Sequence, residues 1–310
     1  MSGTARALLN TPLADPIQIQ KSLQKVGVPR ALRDRIVVGT KKLLAPGEAQ
    51  ARAAAARGLS LPSFLDVDHF KERGSYLVPA KALVEATPAS KALRKEAERL
   101  RARGGMVKPD GQKKADFLVQ LLGNEKLLVV PEVRRFALND QLIALTSHYF
   151  DEVPVISRID LWWSPPNESK AESQLYHYDG EDKSQLKVIL LVNDVDADTG
   201  PFTFVDAVGS AKVGASRRHS ARLDDEAVET IAGQSAITPL MGPSGTVGVV
   251  DTSRCLHYGS RGNSKERLLL MIQFTRFLAP KASMPNWGKL LPSAQLSDLN
   301  KYQRAVLGLT

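Results

Sequence analysis

The chain has 310 residues, 43% of them hydrophobic and 24% charged, with a formal net charge of +9 and one cysteine. That is ordinary globular composition, long enough for one large domain or a domain with an accessory lobe. It excludes an intramolecular disulfide framework, and no apolar run approaches the roughly 20 residues that a membrane span needs.

The N-terminus lacks the basic patch, apolar stretch and small-residue cleavage site of a secretion signal. With Cys255 alone, the expected location is a reducing cytoplasm. The charge is uneven. Residues 1–110 hold 20 Lys and Arg against 10 Asp and Glu, whereas residues 111–310 hold 22 against 23. The one dense basic run, Lys91 to Arg103, is interrupted by Glu96 and Glu98 and lacks interleaved aromatics. A solvated helix face is expected there, with no nucleic-acid partner.

Residues 1–114 read as a mostly helical region, punctuated by Pro29, Pro46, Pro62, Pro79 and Pro88. Ala51–Arg57 is helix-prone. Ser90 is expected to cap a helix that runs to about Arg103, where Gly104 and Gly105 stop it. Leu138, Leu142, Leu145 and Tyr149 recur at helical spacing. From about residue 154 the period changes to two. Val155, Ile159, Leu161 and Trp163 share one face, and Arg158, Asp160 and Trp162 the other. Val188–Val192, Pro201–Val205, Gly245–Val250 and Arg267–Phe277 read as further strands, separated by turns such as Asp198-Thr199-Gly200. Short strands without long intervening helices predict a β-sandwich or barrel with helices outside. Residues 281–310 read as a tail with a short helix near Leu299–Leu307.

The segment Gln174-Leu175-Tyr176-His177-Tyr178-Asp179-Gly180 carries the chemistry. On an extended chain, residues two apart project to one side, so His177 and Asp179 can converge. Imidazole plus carboxylate suits iron(II), and a second imidazole would complete a facial triad with three open positions. His257, after the Gly245–Val250 strand, is the candidate. Arg267 opens an apolar strand, and its planar fork can take the distal carboxylate of a dicarboxylic oxoacid. Pairing with Glu266 or Asp251 is its structural alternative, and Arg261 is a competing clamp.

The stretch Ile159–Phe277 resembles the phytanoyl-CoA dioxygenase-like branch of the iron(II)/2-oxoglutarate dioxygenases. The resemblance rests on His177-Tyr178-Asp179, the strand leading into Asp198-Thr199-Gly200-Pro201, Gly209-Ser210, His257-Tyr258-Gly259 and Arg267. It implies a double-stranded β-helix (jelly-roll, cupin-like) core over residues 115–280. It also implies His177, Asp179 and His257 as iron ligands, and Arg267 as the 2-oxoglutarate clamp. O2 is the second cosubstrate, and Ser260 is placed near 2-oxoglutarate. Two departures stand out: Ala211 follows Gly209-Ser210 where relatives often carry histidine, and Asp179 is present where halogenating members lack the carboxylate. Hydroxylation of a small molecule is therefore expected.

Plainer readings remain for other residues. His69 beside Asp66 and Asp68, His148 and His219 are expected to be structural. Cys255 reads as a buried small residue. Trp162, Trp163, Tyr176 and Tyr178 either line a pocket or pack the core. Two other functions remain open: a cupin-like lyase, isomerase or metal-binding module without redox chemistry, and a binding protein that uses the basic third of the chain. Substrate identity and oligomeric state are not legible.

Overall fold

A computed structural model describes residues 16–106, 117–170, 172–216, 223–281 and 285–309. His219 lies outside them. The first hundred residues supply helices α1 (Pro16–Lys25), α2 (Arg30–Leu44), α3 (Glu48–Arg57) and α4 (Val67–Arg73), strand β1 (Ser75–Leu77), then α5 (Ala86–Ala102). Next come β2 (Val119–Leu122), α6 (Pro131–Ala137) and α7 (Asp140–Phe150). The remaining strands are β3 (Val155–Ser164), β4 (Gln185–Leu191), β5 (Thr203–Val205), β6 (Ile237–Pro239), β7 (Val247–Asp251), β8 (His257–Tyr258) and β9 (Arg267–Thr275).

The strands form two antiparallel sheets, ordered β1-β7-β4-β9-β3-β2 and β6-β5-β8. From β3 onward the chain passes back and forth between them, as in a jelly roll. A backbone bridge from His177 to His257 adds the segment before β4 to the smaller sheet beside β8. The large sheet has two different faces, which the period-two pattern encodes. Ile159, Leu161, Leu186, Val188, Leu190, Leu268, Leu270 and Ile272 pack against the helices. Ile189, Leu191 and Leu269 turn the other way, toward Phe202, Phe204 and Leu240 of the smaller sheet. Both faces of β4 are covered, which is why its sequence runs apolar without alternation.

Three local features differ from the sequence expectation. Helix α5 begins at Ala86, four residues before Ser90, which is buried and donates its hydroxyl to the Thr87 carbonyl. Pro88 falls within the first turn, where the missing N–H has no helical acceptor to lose, so it does not end the helix. Leu138 lies outside α7, because the Asn139 side chain caps that helix by accepting from Gln141 N and Leu142 N. Strand β1, within the stretch read as helical, pairs with β7 and forms one edge of the large sheet. Only three residues long, it is too short to show a period.

Arg52 ties the outer helices to the sheet. It is buried, pairs with Glu48 at 2.9 Å, and donates to the carbonyls of Val153 (3.0 Å), Pro154 (3.3 Å) and Ala305 (2.9 Å). Removing it takes this cation from Glu48 and this donor from three carbonyls. Arg52→Ala should cost about 3 kcal/mol, read as a lower urea midpoint with an unchanged slope. A change under about 0.5 kcal/mol would mean that solvent replaces the guanidinium freely.

Candidate metal centre and anion pocket

His177, Asp179 and His257 come together: one ligand atom from each lies within 4.8 Å of the others. The backbone arranges this. His177 N donates to His257 O at 3.0 Å, and His257 N returns the bond to His177 O at 3.1 Å. The two rings lie 4.4 Å apart. Asp179 N donates to Thr252 O at 2.9 Å, holding the carboxylate beside the pair.

Each imidazole is oriented through its Nδ1. That of His177 lies 2.9 Å from Leu175 O, and that of His257 lies 3.0 Å from Cys255 O. A carbonyl can only accept, so both Nδ1 atoms carry the proton and the Nε2 lone pairs remain for a ligand bond. His257 is 3% exposed, and burial pushes its pKa down to about 3, so it is neutral at physiological pH. Its Nε2 lies 3.5 Å from Asp179 Oδ2. Burial alone would raise the Asp179 carboxyl. The charge of Lys187, assisted by His257 and Thr252, outweighs that and holds it well below the usual carboxylate range. Two imidazole Nε2 atoms and one ionised carboxylate make a donor set that fits a divalent first-row metal.

Lys187 has no place in the sequence reading. Its Nζ lies 2.5 Å from Asp179 Oδ2, and Gln185 Nε2 lies 3.2 Å from the same oxygen. In the register of the large sheet, Lys187 pairs with Gln273, which faces Arg158 across the next strand. Glu181 accepts from Gln273, and Arg158 pairs with Asp160 at 2.5 Å. A charged residue heading the apolar run Val188–Val192 was the available signal. Its contact with Asp179, eight residues earlier, was not legible.

Arg267 is 1% exposed, and burial pushes its guanidinium down to about 9. It donates to Gly200 O at 2.6 Å and Ser164 Oγ at 3.3 Å, and its Nε has no partner among the described residues. No described carboxylate meets it. Glu266 is held by Arg101 and Trp163, and Asp251 by Tyr149 and Ser184. The competing Arg261 is committed to Asp225 at 2.9 Å and lies over the Tyr258 ring. A buried cation without a counter-charge is costly, which marks Arg267 as a candidate to meet an anion.

Arg267 is linked to the triad through the turn at Gly200. That residue has φ +65°, and a Cβ there would meet Ser260 Oγ at 2.6 Å. Two residues on, the Phe202 ring lies 5.4 Å from the His257 ring. Ser260 is thus packed against the turn whose carbonyl Arg267 holds, and its hydroxyl donates to Asn263 Oδ1. Behind His257, Ser210 accepts from Leu256 N at 2.8 Å and donates to Val205 O. Ala211 follows this support on the same helix.

The other candidates are structural. Asp66 caps α4 by accepting from His69 N, and His148 Nε2 lies 3.1 Å from Leu59 O. Cys255 is buried, and its thiol is pushed up by desolvation. Tyr176 stacks edge-on to Tyr258, and Trp163 belongs to the helix-side core. Trp162 lies beneath the Arg158 guanidinium on the inner face.

The chain matches no protein-family model and no curated protein. Solved structures with a similar chain path include EctD from S. alaskensis with bound Fe (17% identity, 68% of this chain and 75% of that one, TM-score 0.49). HygX from Streptomyces hygroscopicus, with nickel and 2-oxoglutarate bound, is 15% identical over 68% of this chain and 85% of its own, with a TM-score of 0.46. The non-heme alpha ketoglutarate dependent epimerase SnoN from nogalamycin biosynthesis is 17% identical over 72% and 83%, with a TM-score of 0.46. At these values the likenesses assign neither a family nor an activity to this chain.

The pKa of His257 has a consequence for stability. Its folded value, about 3, lies below its unfolded value of 6.5, so unfolding takes up a proton between those limits. In metal-free protein, stability should therefore fall as the pH drops below about 6.5, by up to about 1.4 kcal/mol per pH unit from this group. Urea midpoints measured from pH 7 to 4 should show this slope, and His257→Gln should flatten it. An equal slope in the variant would show that His257 is not buried neutral.

Proposed function

We propose that this chain is an iron(II)- and 2-oxoglutarate-dependent dioxygenase that hydroxylates a small molecule and releases succinate and CO2. The observation that carries the proposal is a buried guanidinium with no acidic partner among the described residues, near two imidazoles and a carboxylate that share one centre. Either feature alone has a plainer explanation. Together they supply both attachment points of a chelating dicarboxylate: a metal with open positions and a fixed cation for the far carboxylate.

In this reading His177, Asp179 and His257 hold iron(II), and Arg267 takes the distal carboxylate of 2-oxoglutarate, with Ser260 packed beside that end. The fold is a double-stranded β-helix of the phytanoyl-CoA dioxygenase-like kind, with residues 115–280 as its core. Residues 1–114 pack on it or cap it, and residues 281–310 form a tail.

Iron with 2-oxoglutarate and O2 supplies the oxidising power that a hydroxylation requires. The protein's own residues do the rest. The two Nδ1–carbonyl hydrogen bonds fix the tautomers and aim the Nε2 atoms. Lys187 and Gln185 hold one oxygen of Asp179, which keeps the carboxylate ionised and stationary. Apolar Leu269, Ile189 and Phe202 keep water from the inner face around Arg267.

Anaerobic addition of iron(II) and 2-oxoglutarate should give a weak visible charge-transfer band. His177→Ala should abolish it. Arg267→Ala should raise the 2-oxoglutarate concentration needed for it at least 10-fold. Metal binding without a band would favour a non-redox cupin-like lyase or isomerase.

A further inference from the structure

Two of the carbonyls that hold the triad come from one short turn. Thr252 O accepts from Asp179 N at 2.9 Å, and Cys255 O lies 3.0 Å from His257 Nδ1. The turn Thr252–Cys255, between β7 and β8, therefore sets the backbone of one candidate ligand and the ring of another. What fixes the turn fixes both.

Asp251, the last residue of β7, is placed to do so. It is fully buried. Its Oδ1 accepts from Ser253 N at 3.0 Å, inside the turn, and from Gln185 N at 3.2 Å, at the start of β4. Its Oδ2 accepts from the hydroxyls of Tyr149 (2.7 Å) and Ser184 (2.6 Å). Its main-chain carbonyl takes Arg254 N and Cys255 N. Gln185 carries the effect to the site, since its Nε2 lies 3.2 Å from both Asp179 Oδ2 and Thr252 Oγ1.

The network also reaches outward into the helices. Arg254, within the turn, donates to the Tyr149 hydroxyl at 2.9 Å. It donates again to Lys71 O at 2.7 Å, a carbonyl in the last turn of α4 that has no helical partner to lose. Gly74, just past α4, accepts from Asp251 N at 2.7 Å, and a Cβ there would meet Cys255 Sγ at 3.0 Å. Tyr149 belongs to α7. The direction of each bond is fixed: Arg254 donates to Tyr149, and Tyr149 donates to Asp251.

We propose that Asp251, held by Tyr149 and Arg254, is a positioning residue of the metal centre, through which α4 and α7 set the geometry of Asp179 and His257. An aspartate that only capped the turn would need no more than its backbone N–H partners. The hydroxyl bonds and the Arg254 anchor instead tie the turn to the helices. The inference rests on the triad holding a metal, and is independent of the oxidation that follows. It also gives a task to a carboxylate that the sequence offered as a partner for Arg267.

The test is titration of the full chain with cobalt(II), whose visible d–d absorption reports ligand geometry. Asp251→Asn keeps the shape and one oxygen for the two N–H groups, but turns the other atom into a donor facing two hydroxyls. It should weaken cobalt(II) at least 10-fold and shift the d–d bands. Tyr149→Phe should give a smaller change of the same kind, and should add little to Asp251→Asn, because both act along one path. Arg52→Ala, which lowers stability without touching these groups, should leave affinity and bands unchanged under conditions where urea curves show each variant folded. If Asp251→Asn does not fold, Tyr149→Phe decides alone. Unchanged cobalt(II) affinity and bands in the variants would overturn the proposal, as would an equal change in Arg52→Ala or full additivity in the double variant. Cobalt(II) binding that is absent from the parent protein, or that survives His177→Ala unaltered, would overturn the metal reading and this proposal together.

Discussion

The paired backbone hydrogen bonds between His177 and His257 are the constraint on which the site depends. They join two segments 80 residues apart, close the smaller sheet at β8, and bring both imidazoles to one place. Because the bridge is made by main-chain atoms, the ring positions follow from strand register rather than from side-chain freedom. Asp179 is carried along by its own backbone bond to Thr252, at the end of β7. A slip of one residue in this pairing would turn the histidines to the opposite face. The apolar face of the large sheet, packed against helices, resists such a slip.

Around this centre the fold separates two kinds of charge. Arg267 is buried, donates to Gly200 O and Ser164 Oγ, and meets no carboxylate among the described residues. Near Asp179 the charges are plentiful and mutually satisfied: Lys187 on Asp179, Arg158 on Asp160, Arg276 on Asp182. This charged network adjoins a cavity beneath α2.

Much of the site was legible from the residues. The spacing of His177 and Asp179 on extended backbone carried their convergence. An arginine heading the apolar run Leu268–Ile272 announced an unusual burial. Strands β3, β4, β7 and β9 could be read because alternation or branched apolar runs mark them. Lys187 escaped because its partner is set by the turn between the His-x-Asp segment and β4, and no local pattern records that turn. Strand β1 escaped because its three residues gain their conformation from pairing with β7. Pro88 misled because proline breaks a helix interior but is accommodated in a first turn.

The most direct measurement is a crystal structure of the protein grown anaerobically with iron(II) and 2-oxoglutarate, with anomalous data collected at the iron edge. The account predicts one anomalous peak within bonding distance of His177, Asp179 and His257, and a 2-oxoglutarate whose far carboxylate meets Arg267. A peak elsewhere, or a 2-oxoglutarate that leaves Arg267 without a carboxylate, would contradict it.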